Sequence, residues 1–84
     1  MYYTYVLLSI KDGKFYVGYT FDLKERFDEH CNGRVLSTKE RRPLELVYYE
    51  SCLCKKDAMH REKYLKTYHG KAFIKKRIKT YLTG

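Results

Sequence analysis

The sequence predicts an α+β fold that opens with an antiparallel hairpin and runs in the order β-β-α-β-α-α. Two observations carry this. The runs "YYTYVLLSI" and "FYVGYT" are rich in β-branched and aromatic residues, and Asp12-Gly13 lies between them. Asp-Gly between two such runs is a strong hairpin signal. The apolar period then changes from that of a strand to that of a helix, and a strand-like run, "LELVYYES", returns only after Pro43.

Each element has its own local reason. If Asp12-Gly13 is the centre of the turn, Ser9 faces Tyr16, Leu7 faces Gly18 and Tyr5 faces Thr20. Side chains alternate along a strand, so Tyr5, Tyr16, Gly18 and Thr20 share one face. Gly18 leaves a gap in that face. The gap suits a ligand phosphate or another backbone, or else a bulge or a packed helix. In "FDLKERFDEHCNG", Asp22 is placed to cap a helix, with Glu25 three residues on, and Asn32-Gly33 reads as the stop. Leu23 and Phe27 form its apolar stripe. Arg26 and His30 lie one turn apart and tilt toward the body of the protein. Residues 34–42 show no periodicity and read as a loop. "CKKDAMHREKYLKTYH" reads as a second helix, with Ala58, Leu65 and Tyr68 on one side and Met59 at the edge. Gly70 separates it from a third, "KAFIKKRIKTYL", where Ile74, Ile78, Tyr81 and Leu82 recur at helical spacing.

The bulk numbers set bounds. The chain has 84 residues, 44% of them hydrophobic and 17% aromatic, which fits one folded domain spanning residues 1–84. No apolar run suits a membrane span and no signal peptide is recognisable, so a soluble, cytoplasmic protein is expected. Three cysteines at uneven spacing, with His30, His60 and His69 scattered, favour reduced thiols over a disulfide framework or a zinc site. The net charge of +8 is unevenly spread. Residues 1–33 carry a net −1, residues 34–54 +1, residues 55–69 +3 and residues 70–84 +5. That gradient makes nucleic acid the first partner to consider and an acidic membrane surface the second.

Taken singly, the polar residues have ordinary explanations. His30 reads as a hydrogen-bonded histidine at the edge of the core, and Arg26 as half of a surface ion pair with an acid one turn away. Glu62 stands at the rim of the second helix's apolar stripe. It suits an ion pair with Lys63 or Lys66, or a hard divalent cation with waters and phosphate as further ligands.

Together, the stretches "TYV" at 4–6, "YVGYT" at 16–20, "LKERFDEH" at 23–30, "RRPLELVYYE" at 41–50 and "AMHREKYLK" at 58–66 match one pattern in order and spacing. Over nearly its whole length the chain resembles the GIY-YIG nuclease family, in particular its small stand-alone members. The resemblance implies a small three-stranded antiparallel sheet flanked by three helices. It implies cleavage of phosphodiester bonds, most readily of DNA, with one divalent cation, Mg²⁺ or Mn²⁺. By position it makes Tyr5 and Tyr16 the active-site tyrosines, Gly18 the motif glycine and Thr20 a nearby polar group. It makes Arg26 the contact to the scissile phosphate, His30 the histidine one turn later and Glu62 the metal-binding acid.

Either tyrosine is then a candidate base, with His30 orienting it or taking the proton. Lys39, Arg41, Arg42 and Lys66, with Lys71, Lys75, Lys76, Arg77 and Lys79 of the basic helix, would hold the polyanionic backbone. No base-reading element is visible. Two departures stand out. Thr4 replaces the glycine of the first motif, and Ala72 lies where many members carry an asparagine, so that either this role is dispensable, Lys66 substitutes, or activity is reduced. No separate DNA-binding domain is visible either, so a protein partner or a dimer is a further expectation. The competing readings are a non-catalytic nucleic-acid-binding module of the same fold and a basic scaffold for an acidic protein.

Overall fold

A computed structural model describes residues 1–84. Strands β1 (Tyr2–Ser9) and β2 (Phe15–Thr20) are followed by helix α1 (Leu23–Cys31) and the one-turn helix α2 (Leu36–Lys39). Strand β3 (Leu44–Cys52) and helices α3 (Lys55–Leu65), α4 (Tyr68–Arg77) and α5 (Lys79–Thr83) complete the order. The sheet is antiparallel in the order β2-β1-β3, so β2 has a free edge. The α+β class and the three-stranded sheet expected from the sequence are both present. The three longer helices, α1, α3 and α4, are the three that were expected.

The hairpin turn is wider than its Asp-Gly pair implies. Ser9 N–H donates to Lys14 O at 3.0 Å, which encloses four residues, Ile10 to Gly13. The Asp12 carboxylate accepts from Lys14 N at 2.9 Å, and Gly13 takes the left-handed φ of 72°. Asp-Gly is therefore the second half of a four-residue turn, and the register moves by two. Tyr5 faces Gly18, Tyr3 faces Thr20 and Leu7 faces Tyr16. A shift of two preserves the face, so Tyr5, Tyr16 and Gly18 still share one side.

Alternate residues of β1 serve the two faces. On one, Val6 packs with Val17, Leu65 and Ile74, each at most 3% exposed, to form the core under α3 and α4. Burying each such side chain stabilises the fold by roughly 1.5–3 kcal/mol. Thr4, on the same face, donates its hydroxyl to Ala58 O at 3.0 Å, so the residue that departs from the motif ties β1 to α3. Arg61 of α3 holds Glu50 of β3 through two N–H donors at 2.9 Å and lies 4.8 Å from the centroid of Phe73 in α4. On the opposite face, α1 covers Tyr5 and Tyr16 through His30.

Three details differ from expectation. Residues 34–42 contain α2, whose Val35 cap and Thr38 are buried. A single helical turn shows the core too few positions for a period to be read. The break between α3 and α4 falls at Thr67, whose hydroxyl accepts from Gly70 N at 3.1 Å as an N-cap; Gly70 lies inside α4, and Tyr68 is exposed. The last helix divides at Ile78 (φ −114°, ψ 31°), which leaves Tyr81 exposed.

Candidate active site

The site forms where the free edge of β2 lies between α1 and α3. Asp22 caps α1 by accepting from Glu25 N at 3.0 Å, and Thr20 braces that entry by accepting from Asp22 N at 3.1 Å. The cap aims α1 so that Arg26 and Glu29 reach the edge. From the other side of the sheet, α3 contributes Lys55 and Glu62. The result is an open cleft of about 600 Å³ lined by Tyr5, Tyr16, Gly18, Thr20, Arg26 and Glu62 among others. These six were all singled out in the sequence.

The seventh, His30, lies directly behind the cleft, fully buried. Its Nε2 is 2.8 Å from the Tyr5 hydroxyl and its Nδ1 is 2.7 Å from Thr38 Oγ1. Its ring meets those of Tyr5 and Tyr16 edge-on, at centroid distances of 5.6 and 5.2 Å. The Tyr5 phenol lies across Gly18, where a Cβ would stand 2.6 Å from Tyr5 Cζ. The gap at Gly18 is thus filled by Tyr5 itself, not by a helix or a bulge.

Burial sets the electrostatics of this pair. Desolvation pushes the Tyr5 phenol up to about 12, against the downward pull of the Arg26 guanidinium beside it. Desolvation, with Arg26 second, pushes His30 down to about 4. At neutral pH both are uncharged, with the proton on Tyr5. Arg26 also donates to Glu29 at 3.0 Å, the ion pair its spacing allows. Glu62 lies 3.5 Å from Lys66, its partner one turn on.

None of the basic residues expected to hold a polyanion lines the cleft, although Lys66 approaches Glu62. Arg41 bonds Phe15 O and approaches Asp12 at 3.5 Å, and Arg42 donates to Lys39 O at 2.9 Å, so both brace the fold. Lys71 and Lys75 join Lys14 and Arg41 around a second concavity of about 520 Å³ at the turn end of β2. Lys76 and Arg77 flank Phe73 on α4, while Lys39 and Lys79 are exposed. Sequence reasoning passed over Glu29 and Thr38. Glu29 had a signal, since it stands three residues after Arg26. Thr38 had none, because its partner is eight residues away across a loop.

The GIY-YIG catalytic domain family model matches residues 1–78. The chain belongs to the GIY-YIG nuclease family. A UPF0213 protein of Staphylococcus epidermidis is 43% identical over 63 residues, covering 74% of this chain and 77% of its own. Another, from Staphylococcus saprophyticus, is 39% identical over 75 residues, covering 88% of this chain and 90% of its own. Among solved structures, the solution NMR structure of a UPF0213 protein from Bacillus halodurans aligns with a TM-score of 0.54 at 33% identity, covering 88% of this chain and 82% of that one.

GIY-YIG nucleases generally use a divalent metal, and the residues present can be tested against one. No three His, Cys, Asp or Glu side chains converge as an all-protein cage. On the wall formed by α3, Glu62 offers a single carboxylate, 18% exposed; the other acids of the lining, Asp22, Glu25 and Glu29, belong to α1 and its cap. One carboxylate open to water and phosphate is a donor set that Mg²⁺ accepts and a caged zinc does not. The cleft therefore fits a hard cation completed by solvent and substrate.

Proposed function

We propose that this GIY-YIG chain is a divalent-metal-dependent endonuclease that hydrolyses phosphodiester bonds of DNA. One observation carries the reading. The Tyr5–His30 hydrogen bond lies under a cleft whose walls present Arg26 on one side and Glu62 on the other.

The chemistry follows from where the protons lie. A neutral phenol raised to about 12 does not ionise in advance to serve as a base. It accepts a proton from an attacking water only if it passes its own proton on at the same time. His30 Nε2, neutral at physiological pH and 2.8 Å behind the hydroxyl, is the acceptor for that proton. Tyr5 then relays and His30 is the terminal base. Tyr16, packed edge-on against the same imidazole, holds the ring and lines the cleft. Arg26 faces the negative charge that builds on the non-bridging phosphate oxygens. A Mg²⁺ or Mn²⁺ ion held by Glu62 would supply further positive charge to those oxygens. Lys39 and the exposed lysines of α4 and α5, with Lys66 beside Glu62, would neutralise the flanking backbone.

The test is cleavage of single-stranded, duplex and branched DNA with Mg²⁺ or Mn²⁺. Wild type is compared with Arg26→Ala, Glu62→Ala and Tyr5→Phe, each checked for folding by circular dichroism. Losses of about a hundredfold or more are expected in all three variants. Equal cleavage by the four proteins would sink the site assignment. Salt-sensitive binding with no cutting by wild type would make the chain a binding module instead.

A further inference from the structure

We infer that Thr38 is a positioning residue that fixes the tautomer of His30, and through it the direction of the hydrogen bond to Tyr5. The inference rests on the nuclease reading for its catalytic consequence only; the tautomer itself is a property of the folded chain.

Four groups lie in a row from the cleft inward: Tyr5 Oη, the two ring nitrogens of His30, Thr38 Oγ1 and Val35 O. His30 and Thr38 are 0% exposed and Tyr5 1%, and only Tyr5 lines the cleft, so water does not complete the bonding of the imidazole or of Thr38. Val35 O, 3.4 Å from the Thr38 hydroxyl, can only accept. With the proton on Nδ1, every donor has an acceptor. Tyr5 donates to Nε2, Nδ1–H donates to Thr38 Oγ1 and Thr38 donates to Val35 O. With the proton on Nε2, the imidazole donates to Tyr5, and Thr38 turns to donate to Nδ1. The Tyr5 hydroxyl hydrogen then loses the acceptor it has inside the fold and is left to the cleft, since Arg26 beside it carries only donors. Only the Nδ1–H form pairs every donor of the row within the protein, and buried polar groups are paired with few exceptions, which favours that form.

The consequence reaches the cleft. An Nδ1–H imidazole keeps a lone pair on Nε2, able to take the Tyr5 proton as a water proton arrives on Tyr5 Oη. One O–H bond forms on Tyr5 as another breaks, one N–H bond forms on Nε2, and the imidazole ends positively charged. The Nε2–H form has no site for that proton. The short helix α2 owes its place in the fold to two buried residues, Val35 and Thr38. It thus works as a bracket behind the histidine.

The experiment reads the ring directly. ¹⁵N-edited long-range NMR distinguishes the two nitrogens of His30 in wild type, Thr38→Ser and Thr38→Val. The Nδ1–H pattern is expected in wild type and in Thr38→Ser, and a switch to Nε2–H in Thr38→Val, which retains the size but lacks the hydroxyl. Cleavage should fall about a hundredfold in kcat with KM unchanged in Thr38→Val, and return with serine. An Nε2–H pattern in wild type overturns the inference without any variant. So does an Nδ1–H pattern that persists in Thr38→Val. If the tautomer behaves as expected but wild type cuts no nucleic acid, the positioning role stands and the nuclease reading is what fails.

Discussion

Gly18 shows what a single residue contributes to this site. Its missing side chain makes room for the phenol of Tyr5, and that phenol is what His30 holds from behind. The shared face of Tyr5, Tyr16 and Gly18 was legible in the sequence because it depends on parity alone, which a two-residue error in register leaves intact. The occupant of the gap was not legible, because it depends on how far a ring reaches across the strand pair. The buried His30 has a measurable consequence. The unfolded chain protonates this histidine below its ordinary value of 6.5, whereas the folded protein resists until about 4. The stability this contributes is complete above pH 6.5 and is lost as pH falls toward 4, amounting to about 3 kcal/mol. Urea unfolding at pH 7 and 4.5 should show wild type losing about 2–3 kcal/mol more than His30→Gln, in which carboxylate titration is retained and the histidine is gone. Parallel losses in the two proteins would mean that His30 titrates normally in the fold.

Among the elements, the junction of α3 and α4 departs furthest from sequence expectation. Gly70 reads as a separator because glycine is a poor helix former. Its actual task is steric. It sits in the first turn of α4, where that helix crosses the end of α3, and a Cβ there would meet Tyr64 O and lie 2.5 Å from Leu65 Cα. The signal that ends α3 belongs to Thr67, whose hydroxyl also donates to Tyr64 O at 2.6 Å. Helical periodicity found both helices but not their boundary, because a cap between two helices of similar composition changes no hydrophobic pattern. Gly70→Ala weighs two effects of opposite sign. Alanine gains about 1 kcal/mol of helix propensity, while overpacking against backbone atoms costs about 1–3 kcal/mol. Backbone cannot swing aside as a long side chain can, so net destabilisation is expected, read as a lower urea midpoint at unchanged slope. A higher midpoint would show that α4 moves freely from α3.

For the molecule as a whole, the question is how a nearly neutral N-terminal half and a basic C-terminal half divide the labour. The charge gradient was plain in the sequence, but its placement needed the fold, because Arg41 and Arg42 are used up in bracing loops while Lys71 and Lys75 stand free beside Lys14. The cleft is lined along β2 from Tyr16 to Thr20, and this basic concavity borders the start of the same strand at Lys14 and Phe15. A strand seated in the cleft and running along the free edge of β2 would bring its backbone to those lysines. Each phosphate neutralised adds about 0.7 to the slope of log K against log salt for single strands and about 0.9 for duplex. Replacing Lys71, Lys75 and Lys76 with Gln should therefore lower that slope by about 2–3 and weaken binding alike for all sequences, since no base edge is read by them. All three side chains are exposed, so the melting temperature should hardly change. Fluorescence anisotropy with labelled oligonucleotides at several salt concentrations measures the slope. An unchanged slope, with the protein still binding, would confine the nucleic acid to the cleft and leave the basic helix for an acidic protein partner.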